Sequence, residues 1–526
     1  MKRVFVSFVS CLAVTAHASG FYFGDNGSKA MIQGGAFTAQ ADDLTAMAHN
    51  PAGLAQQQGF SFLADIQLLR HDVTYLRQDP GFDPAAPSSL INTVSSQKDP
   101  YILPYFGLGY GFQLFGRQAN VSLGLFAPPS QGHYVFAQPN YTKNEAGTAY
   151  VENPRKFAPQ RYAMISNDII IAYPTLSLSY EVHKMLQVGV SAQLTVSNFK
   201  QVQTLYGGDA LGLNPMTQLQ ENPDYDATVS IDLPGQVGFT GVIGLLFKPT
   251  EWLQFGASVR PPVPFRARGK ITVELSEFFK NSGATVTGDT ATLAMTLPLE
   301  IRFGARVMPM KNLGINADFV FQGWNSVDQL LLTPENLQVT VMGNSSTIAP
   351  FAVKKNWLPT FSARLGATYR IFTAGAFGVS ASAGVLFETG ASPASTYSVD
   401  WTHPTRFIFT GGVTGHLGPI DVIVGMMGTP TQTTVIGAAG DPNTSIVQRG
   451  QTNPESAPAY VGNGIYTSGG YGVILGLRGN FGGGAKPPAE EVKPVEKPVE
   501  TKPAEETKPA ETPAPAETAP SPAPSN

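Results

Sequence analysis

VSIDLPGQVGFTGVIGLLF, residues 229–247, alternates apolar residues with small or polar ones over more than an ordinary strand length. By parity Val229, Ile231, Leu233, Val237, Phe239, Ile243, Leu245 and Phe247 share one face, and Ser230, Asp232, Gln236, Gly238 and Thr240 share the other. A half-buried strand has this period, but strands in soluble sandwiches usually run about 5–6 residues. A strand that crosses a bilayer, with lipid on one side and a polar lumen on the other, needs both the length and the alternation.

The same pattern recurs outward from this stretch. In ATLAMTLPLEIRFGARV, residues 291–307, Leu293, Met295, Leu297, Leu299, Ile301, Phe303 and Val307 oppose Thr296, Glu300, Arg302 and Arg306. Leu253, Phe255, Val259, Val263 and Phe265 oppose Gln254, Ser258, Arg260, Arg266, Arg268 and Lys270. Such segments number about fourteen, an even count of the kind bacterial outer-membrane barrels have. Short connections near 180–184, 248–251, 309–312 and 415–418 alternate with long ones over 77–100, 131–167, 201–227, 277–290, 330–356 and 430–463. Short turns are periplasmic and long loops extracellular in this architecture, so both barrel ends lie on the periplasmic side. The expected fold class is all-β, a transmembrane antiparallel β-barrel of about fourteen strands with an N-terminal plug in its lumen.

Composition agrees. Charged residues make up 14% and aromatics 10% of 526 residues, with 55 Gly and a net charge of −4, against a usual charged share of ~25%. A surface so poor in charge faces something other than water, and with no basic patch interleaved by aromatics a nucleic-acid partner is excluded. Lys2 and Arg3, the apolar run Val4–Ala16 and the A-x-A site Ala16-His17-Ala18 form a secretory signal over 1–18. The single cysteine, Cys11, lies inside it; a lipoprotein reading of Phe8–Cys11 would truncate the apolar region. The final alternating strand, 469–481, has Tyr471 and the terminal aromatic Phe481 on one face. Beyond it, residues 482–526 are rich in Pro, Glu, Lys and Ala and lack aromatics, the composition of an extended periplasmic tail that cannot build a core. Two roles remain open for it, a solvated spacer and a cell-wall contact.

No catalytic constellation is present, and no cofactor or metal is expected. Ser197-Asn198-Phe199-Lys200 lacks the companion motifs of an acyl-transfer site, and His49, His71, His133, His183, His403 and His416 have no metal-ligand spacing. By parity Arg260, Arg266, Arg268, Arg302, Arg306, Arg364, Arg406 and Arg478 point into the lumen. They are candidates to hold an anionic head group or to pair with lumen acids such as Asp232, Glu300 and Asp318. Residues 19–58 precede the barrel at 59–481 and are too small and too rich in Ala and Gly to fold alone. Within them DDLTAMAHNPAGLA, residues 42–55, reads as a short helix capped by Asp42 or Asp43 and stopped at Asn50-Pro51, followed by Ala52 and by Gly53, expected to ease a backbone turn. Entering from the periplasmic side, this segment is placed to sit inside the barrel as a hatch. The paired prolines Pro128 and Pro129, with Gly132, remove ladder donors and mark a break in the wall or the start of a loop.

Taken together, Gly20-Phe21, Ala41-Asp42-Asp43, Asn50-Pro51-Ala52, Gly241–Pro249, Leu297–Gly304 and Phe321–Asp328 resemble the FadL-type family of outer-membrane transporters. The resemblance implies a fourteen-stranded barrel in the outer membrane of a Gram-negative bacterium, an N-terminal hatch and a kinked third strand. It also implies uptake of a hydrophobic small-molecule ligand, a long-chain fatty acid or an aromatic hydrocarbon, that leaves sideways into the membrane. Its implied partners are outer-membrane lipids, lipopolysaccharide and the barrel-assembly machinery that reads the terminal strand. A general porin and a structural or adhesive protein are the competing readings.

Overall fold

The computed structural model describes residues 24–482 apart from 90, 98–99, 128–132, 137, 139–141, 148–150, 152–153, 208–220, 342, 403 and 442–460. The signal, the pair Pro128 and Pro129 with Gly132, and the tail therefore lie outside the described residues. Fourteen strands close one ring. They are β1 Gly59–Arg77, β2 Tyr101–Leu114, β3 Arg117–Phe126, β4 Ser166–His183, β5 Leu186–Tyr206, β6 Asp226–Thr250, β7 Leu253–Arg260, β8 Glu300–Met310, β9 Leu313–Gln322, β10 Thr360–Ala374, β11 Phe377–Glu388, β12 Arg406–Leu417, β13 Ile420–Ile436 and β14 Gly464–Gly482. Each is antiparallel to the next, and β14 returns to β1 from Gly59↔Gly482 to Arg77↔Gly464 without a slip. Closure of β14 on β1 leaves the ring without a terminal edge strand, which matters in lipid, where an unpaired main-chain group is costly.

At one end of the ring the connections are tight, including Phe115-Gly116, Lys184-Met185 and Gly418-Pro419. At the other end the wall is prolonged by Val263–Leu275, Thr290–Leu297, Gln329–Pro334 and Phe351–Lys354, which pair with one another or with β6. Outward-facing Phe239, Phe255, Phe303 and Phe319 are exposed, and inward-facing Thr240, Arg302 and Asp318 are buried, as parity requires for the half nearer the short turns.

In the other half the parity is reversed on three neighbouring strands. Leu233, Val263, Leu293 and Leu297 are buried, in one cluster with Phe199, Ile171, Trp324 and Trp357, although each shares sequence parity with an exposed phenylalanine further along its strand. The sequence reading put Val229, Ile231 and Leu233 on the face of Phe239, and Leu293 and Leu297 on the face of Phe303; both assignments are corrected here. The cause is local and occurs three times. On β6 the register against β5 shifts between Ser197 and Phe199 opposite Pro234-Gly235, where Gly235 has φ +64, a conformation that glycine adopts without a Cβ penalty. On the next strand Pro261-Pro262 separates β7 from Val263–Leu275, and on the third Pro298-Leu299 separates Thr290–Leu297 from β8. A proline contributes no ladder donor, and a bulge turns the following side chains to the opposite face. Arg266 and Arg268 are consequently exposed, Arg268 on Glu335 at 2.6 Å, and Asp232 faces outward beside Lys200 at 3.4 Å.

The bore thus has two levels. Near the short turns its walls present Ser61, Asp65, Ser177, Ser191, Ser258, Arg302, Asp318, Arg364 and Arg478, all buried. Near the long loops they present Leu69, Ile169, Ile171, Leu233, Val263, Leu297 and Leu386. Each fully buried Leu or Ile of that level contributes roughly 1.5–3 kcal/mol.

Candidate functional site in the bore and its wall

Residues 24–58 meet the polar level from all sides, and nearly all of 24–55 are buried. The segment is mostly turns, with helical residues only at Ser28–Met31 and Ala46–His49 and a 3-10 helix at Pro51–Gln56. The helix expected from Asp42 is shorter than its sequence suggested. Asp43 caps a turn by accepting the Thr45 amide at 2.8 Å. Asn50, extended at φ −157, ends the helix and accepts the Ala52 amide at 3.3 Å to start the next one. Its side-chain nitrogen donates to the carbonyls of Thr38 at 2.8 Å and of Leu245 on β6 at 2.9 Å. Gly53 serves a different end from the turn expected of it: a Cβ there would lie 2.0 Å from the Ala41 carbonyl oxygen, so glycine allows two chain segments to touch. Gly244 does the same for the wall, where a Cβ would lie 2.1 Å from Asn50 Oδ1.

Charge holds the segment on opposite walls. Arg302 of β8 donates to Asp25 at 2.6 Å and to Glu300 at 2.9 Å, and Arg364 of β10 also donates to Asp25. Arg478 of β14 donates to Asp43 and, at 3.1 Å, to Asp65 of β1, which accepts the Ser28 amide at 2.7 Å. Asp318 of β9 accepts the Phe37 and Thr38 amides, each at 2.8 Å. Lys29 pairs with Asp42 at 2.8 Å, and Arg306 lies 3.9 Å from the same carboxylate. Burial opposes the Asp25 charge, but Arg302, His49 and Arg364 hold its carboxyl well below the ordinary range. Against its burial, Lys29 and Arg306 hold Asp42 down to about 2. Burial pushes the His49 imidazole below its usual value, with Asp25 pulling the other way. Ions so enclosed are stable only when paired and hydrogen-bonded, and these are.

Of the basic residues expected in the lumen, Arg302 is thus committed to the N-terminal segment, Arg260 lies 3.5 Å from Glu300 and Arg406 is 2.8 Å from Glu388. Pairing with acids, the plainer of the two roles foreseen for them, is what the geometry displays. Asp25 was missed by sequence reading, because an acid in a Gly-rich stretch carries no mark of the two distant arginines that meet it.

The second feature lies in the wall at β3. Its pairing with β2 ends at Tyr105↔Phe126 and with β4 at Phe126↔Tyr173. The short strand His133–Val135 resumes along β4 at Ser166–Asp168. Between them, residues 101–104 of β2 and 169–172 of β4 have no ladder partner from β3 or from His133–Val135 among the described residues. A cavity of about 420 Å3 occupies this gap, lined by Tyr101, Leu103, Leu125, Ala127, Ile169 and Ile171, with His133 and Asp168 at its rim. The opening expected at Pro128, Pro129 and Gly132 rests on residues outside the described ones. Leu103, Ile169 and Ile171 belong to the same apolar cluster as Leu44 and Met47 of the N-terminal segment, so one continuous greasy surface runs from the bore to the wall. At the seam Tyr471 and Phe481 are exposed, with Phe481 stacked 6.3 Å from Phe60.

A family model described as outer membrane protein transport protein (OMPP1/FadL/TodX) matches residues 9–419. Among solved structures, a FadL homologue of Pseudomonas aeruginosa is similar at 15% identity and a TM-score of 0.64, covering 88% of this chain and 100% of that one. The toluene transporter TbuX of Ralstonia pickettii is similar at 16% identity and a TM-score of 0.56, covering 86% and 98%. The toluene transporter TodX of Pseudomonas putida is similar at 12% identity and a TM-score of 0.57, covering 88% and 100%. No curated protein sequence matches the chain.

Proposed function

The chain belongs to the outer membrane protein transport family, OMPP1/FadL/TodX, and on that premise we propose that it takes up hydrophobic compounds, long-chain fatty acids or aromatic hydrocarbons, through a plugged barrel with lateral exit. Residues 24–58 act as the plug, anchored by Asp25, Asp43 and Asn50. The ligand moves along the apolar level of the bore and leaves through the gap beside β3 into the surrounding lipid. The observation that carries this reading is the wall cavity, whose lining is mainly apolar, with His133 and Asp168 at the rim, and joins the cluster containing Leu44 and Met47. A polar solute would have to give up its water there without replacement hydrogen bonds, which costs several kcal/mol; a hydrocarbon gains from the same transfer.

A general porin needs an open bore, and the buried segment 24–58 argues against one. Outer-membrane lipid and lipopolysaccharide are the proposed surroundings of the exposed phenylalanine belt, with Tyr471 and Phe481 offered to the assembly machinery. The test is an uptake assay with radiolabelled toluene and dodecanoate in cells carrying Ile171→Trp, which fills the cavity. Uptake of toluene should fall several-fold while the heat-modifiable, folded barrel persists. Undiminished uptake of both compounds in a folded barrel would refute exit at this gap.

A further inference from the structure

We propose that the wall carries a second lateral site, between β6 and the strand formed by β7 and Val263–Leu275, which takes a single-chain amphiphile with a hydrogen-bonding head. β6 pairs with β7 from Thr250↔Leu253 to Ile243↔Val259 and with Val263–Leu275 from Asp232↔Lys270 onward. Between these ladders Leu233–Val242 and Arg260–Gly269 have no main-chain pairing with each other. The two stretches are equal in length, so the register is kept and the strands part and rejoin. Pro234, Pro261, Pro262 and Pro264 flank the parting and offer no N–H to close it.

One side chain bridges the slit. Gln236 donates from Nε2 to the Arg268 carbonyl at 2.9 Å and accepts the Arg268 amide on Oε1 at 3.1 Å, so its amide stands in for a strand partner. A side chain with free rotamers holds less firmly than a ladder does, which makes Gln236 a latch. On the outer side Val237 and Phe239 are each 68% exposed, against 44% for Phe255 and 56% for Phe303 on neighbouring strands, because a neighbour is missing. On the inner side stand Thr195 and Ser197 of β5 and Thr240 of β6. All are buried, and none of their hydroxyls has a hydrogen-bond partner among the described residues. Between them Gly238 leaves room: a Cβ there would meet nothing closer than 3.7 Å.

Buried hydroxyls without partners are uncommon and call for an occupant. A hydrocarbon entering here would leave them unpaired. A carboxylate head accepts from these hydroxyls and an alcohol head both accepts from and donates to them, while its chain runs out over Val237 and Phe239 into lipid. The cavity beside β3 is mainly aliphatic, with polar groups only at Tyr101, His133 and Asp168, so the two openings divide hydrophobic solutes by their heads. This division rests on the transport reading for its direction of traffic, but occupancy of the slit does not.

The test is therefore a binding measurement on the full-length protein in lipid vesicles. A dodecanoic acid carrying a tail diazirine and an alkylbenzene carrying the same group are photolysed, and labelled residues are mapped by mass spectrometry. The acid should label residues 237–239 and 263–265, and the alkylbenzene residues 101–104 and 169–172. Thr195→Val with Thr240→Val, nearly isosteric, should cut labelling of the slit by the acid several-fold and leave alkylbenzene labelling unchanged; Gln236→Leu should raise labelling of the slit. Acid labelling confined to the β3 gap, or slit labelling indifferent to the hydroxyl replacements, would overturn the proposal and leave the recess to water. Undiminished uptake of toluene and dodecanoate in Ile171→Trp would sink exit at the β3 gap alone.

Discussion

The two levels of the bore are built from the same strands and the same alternation, yet one is lined with ions and hydroxyls and the other with leucines and tryptophans. Near the short turns the lipid takes the apolar residues of each strand, and the lumen receives Arg302, Asp318, Arg364 and Arg478. Near the long loops Pro234, Pro261-Pro262 and Pro298 reverse the faces, and Leu233, Val263 and Leu297 turn inward. A strand thus changes its solvent halfway along without changing its sequence pattern. The polar level grips a segment by charge, and the apolar level offers a ligand a place with no charge to satisfy.

Removing the grip altogether is the severest test of this division. Deletion of residues 24–58 should raise single-channel ion conductance in planar bilayers manyfold, because a bore of this strand number exceeds what wall side chains alone fill. Conductance at the wild-type level from a folded barrel would mean that the segment blocks nothing. Breaking one anchor should have the next largest effect. Arg302→Met leaves Asp25 with a buried, undercompensated charge, a change that typically costs about 3–5 kcal/mol. Urea unfolding in vesicles should show this, with part of the loss recovered by adding Asp25→Leu.

The apolar level gives a smaller and differently placed response. Leu233→Ala should destabilise by about 2–4 kcal/mol through the cavity it leaves. Phe239→Ala, on the same sequence parity, should cost much less, since lipid refills its place. Equal costs would mean that the faces do not reverse at Pro234-Gly235. The weakest effect is one of pH. Because the imidazole of His49 is held below its usual value in the folded protein, it is neutral in both states above about 6.5. Below that value the released form binds the proton first. Anchoring should therefore weaken as pH falls from 7.5 to 5.5, seen as faster cysteine labelling at Ala30→Cys, and His49→Gln should flatten the dependence.

Much of this architecture was legible in the sequence, and the exceptions share a cause. Alternation over residues such as 237–247 identifies a membrane strand because period two with that length has few other uses, and the Ala/Gly-rich stretch before Gly59 is legible as something that needs a container. The reversal at Pro234 was hidden because lipid and an apolar lumen select the same residues: Leu233 and Phe239 look alike whichever greasy medium they face. Arg266 and Arg268 were assigned inward for that reason and lie outside. Asp25 and the cavity lining at Tyr101 and Ile171 depend on distant strands meeting, which no local pattern records. Gly53 was read as a turn residue because glycine's conformational freedom is local, whereas its contact with Ala41 is not.

The seam between β14 and β1 runs unbroken from Gly59↔Gly482 to Arg77↔Gly464, while slips or partings interrupt the wall at β6 and between β13 and β14. The joint between the first and the last strand is thus the one with the longest unbroken zipper. Under lateral tension from a thinning or stretching membrane, such a cylinder would tear along its perforations and not along its weld. Its compliance is concentrated away from the place where it was closed.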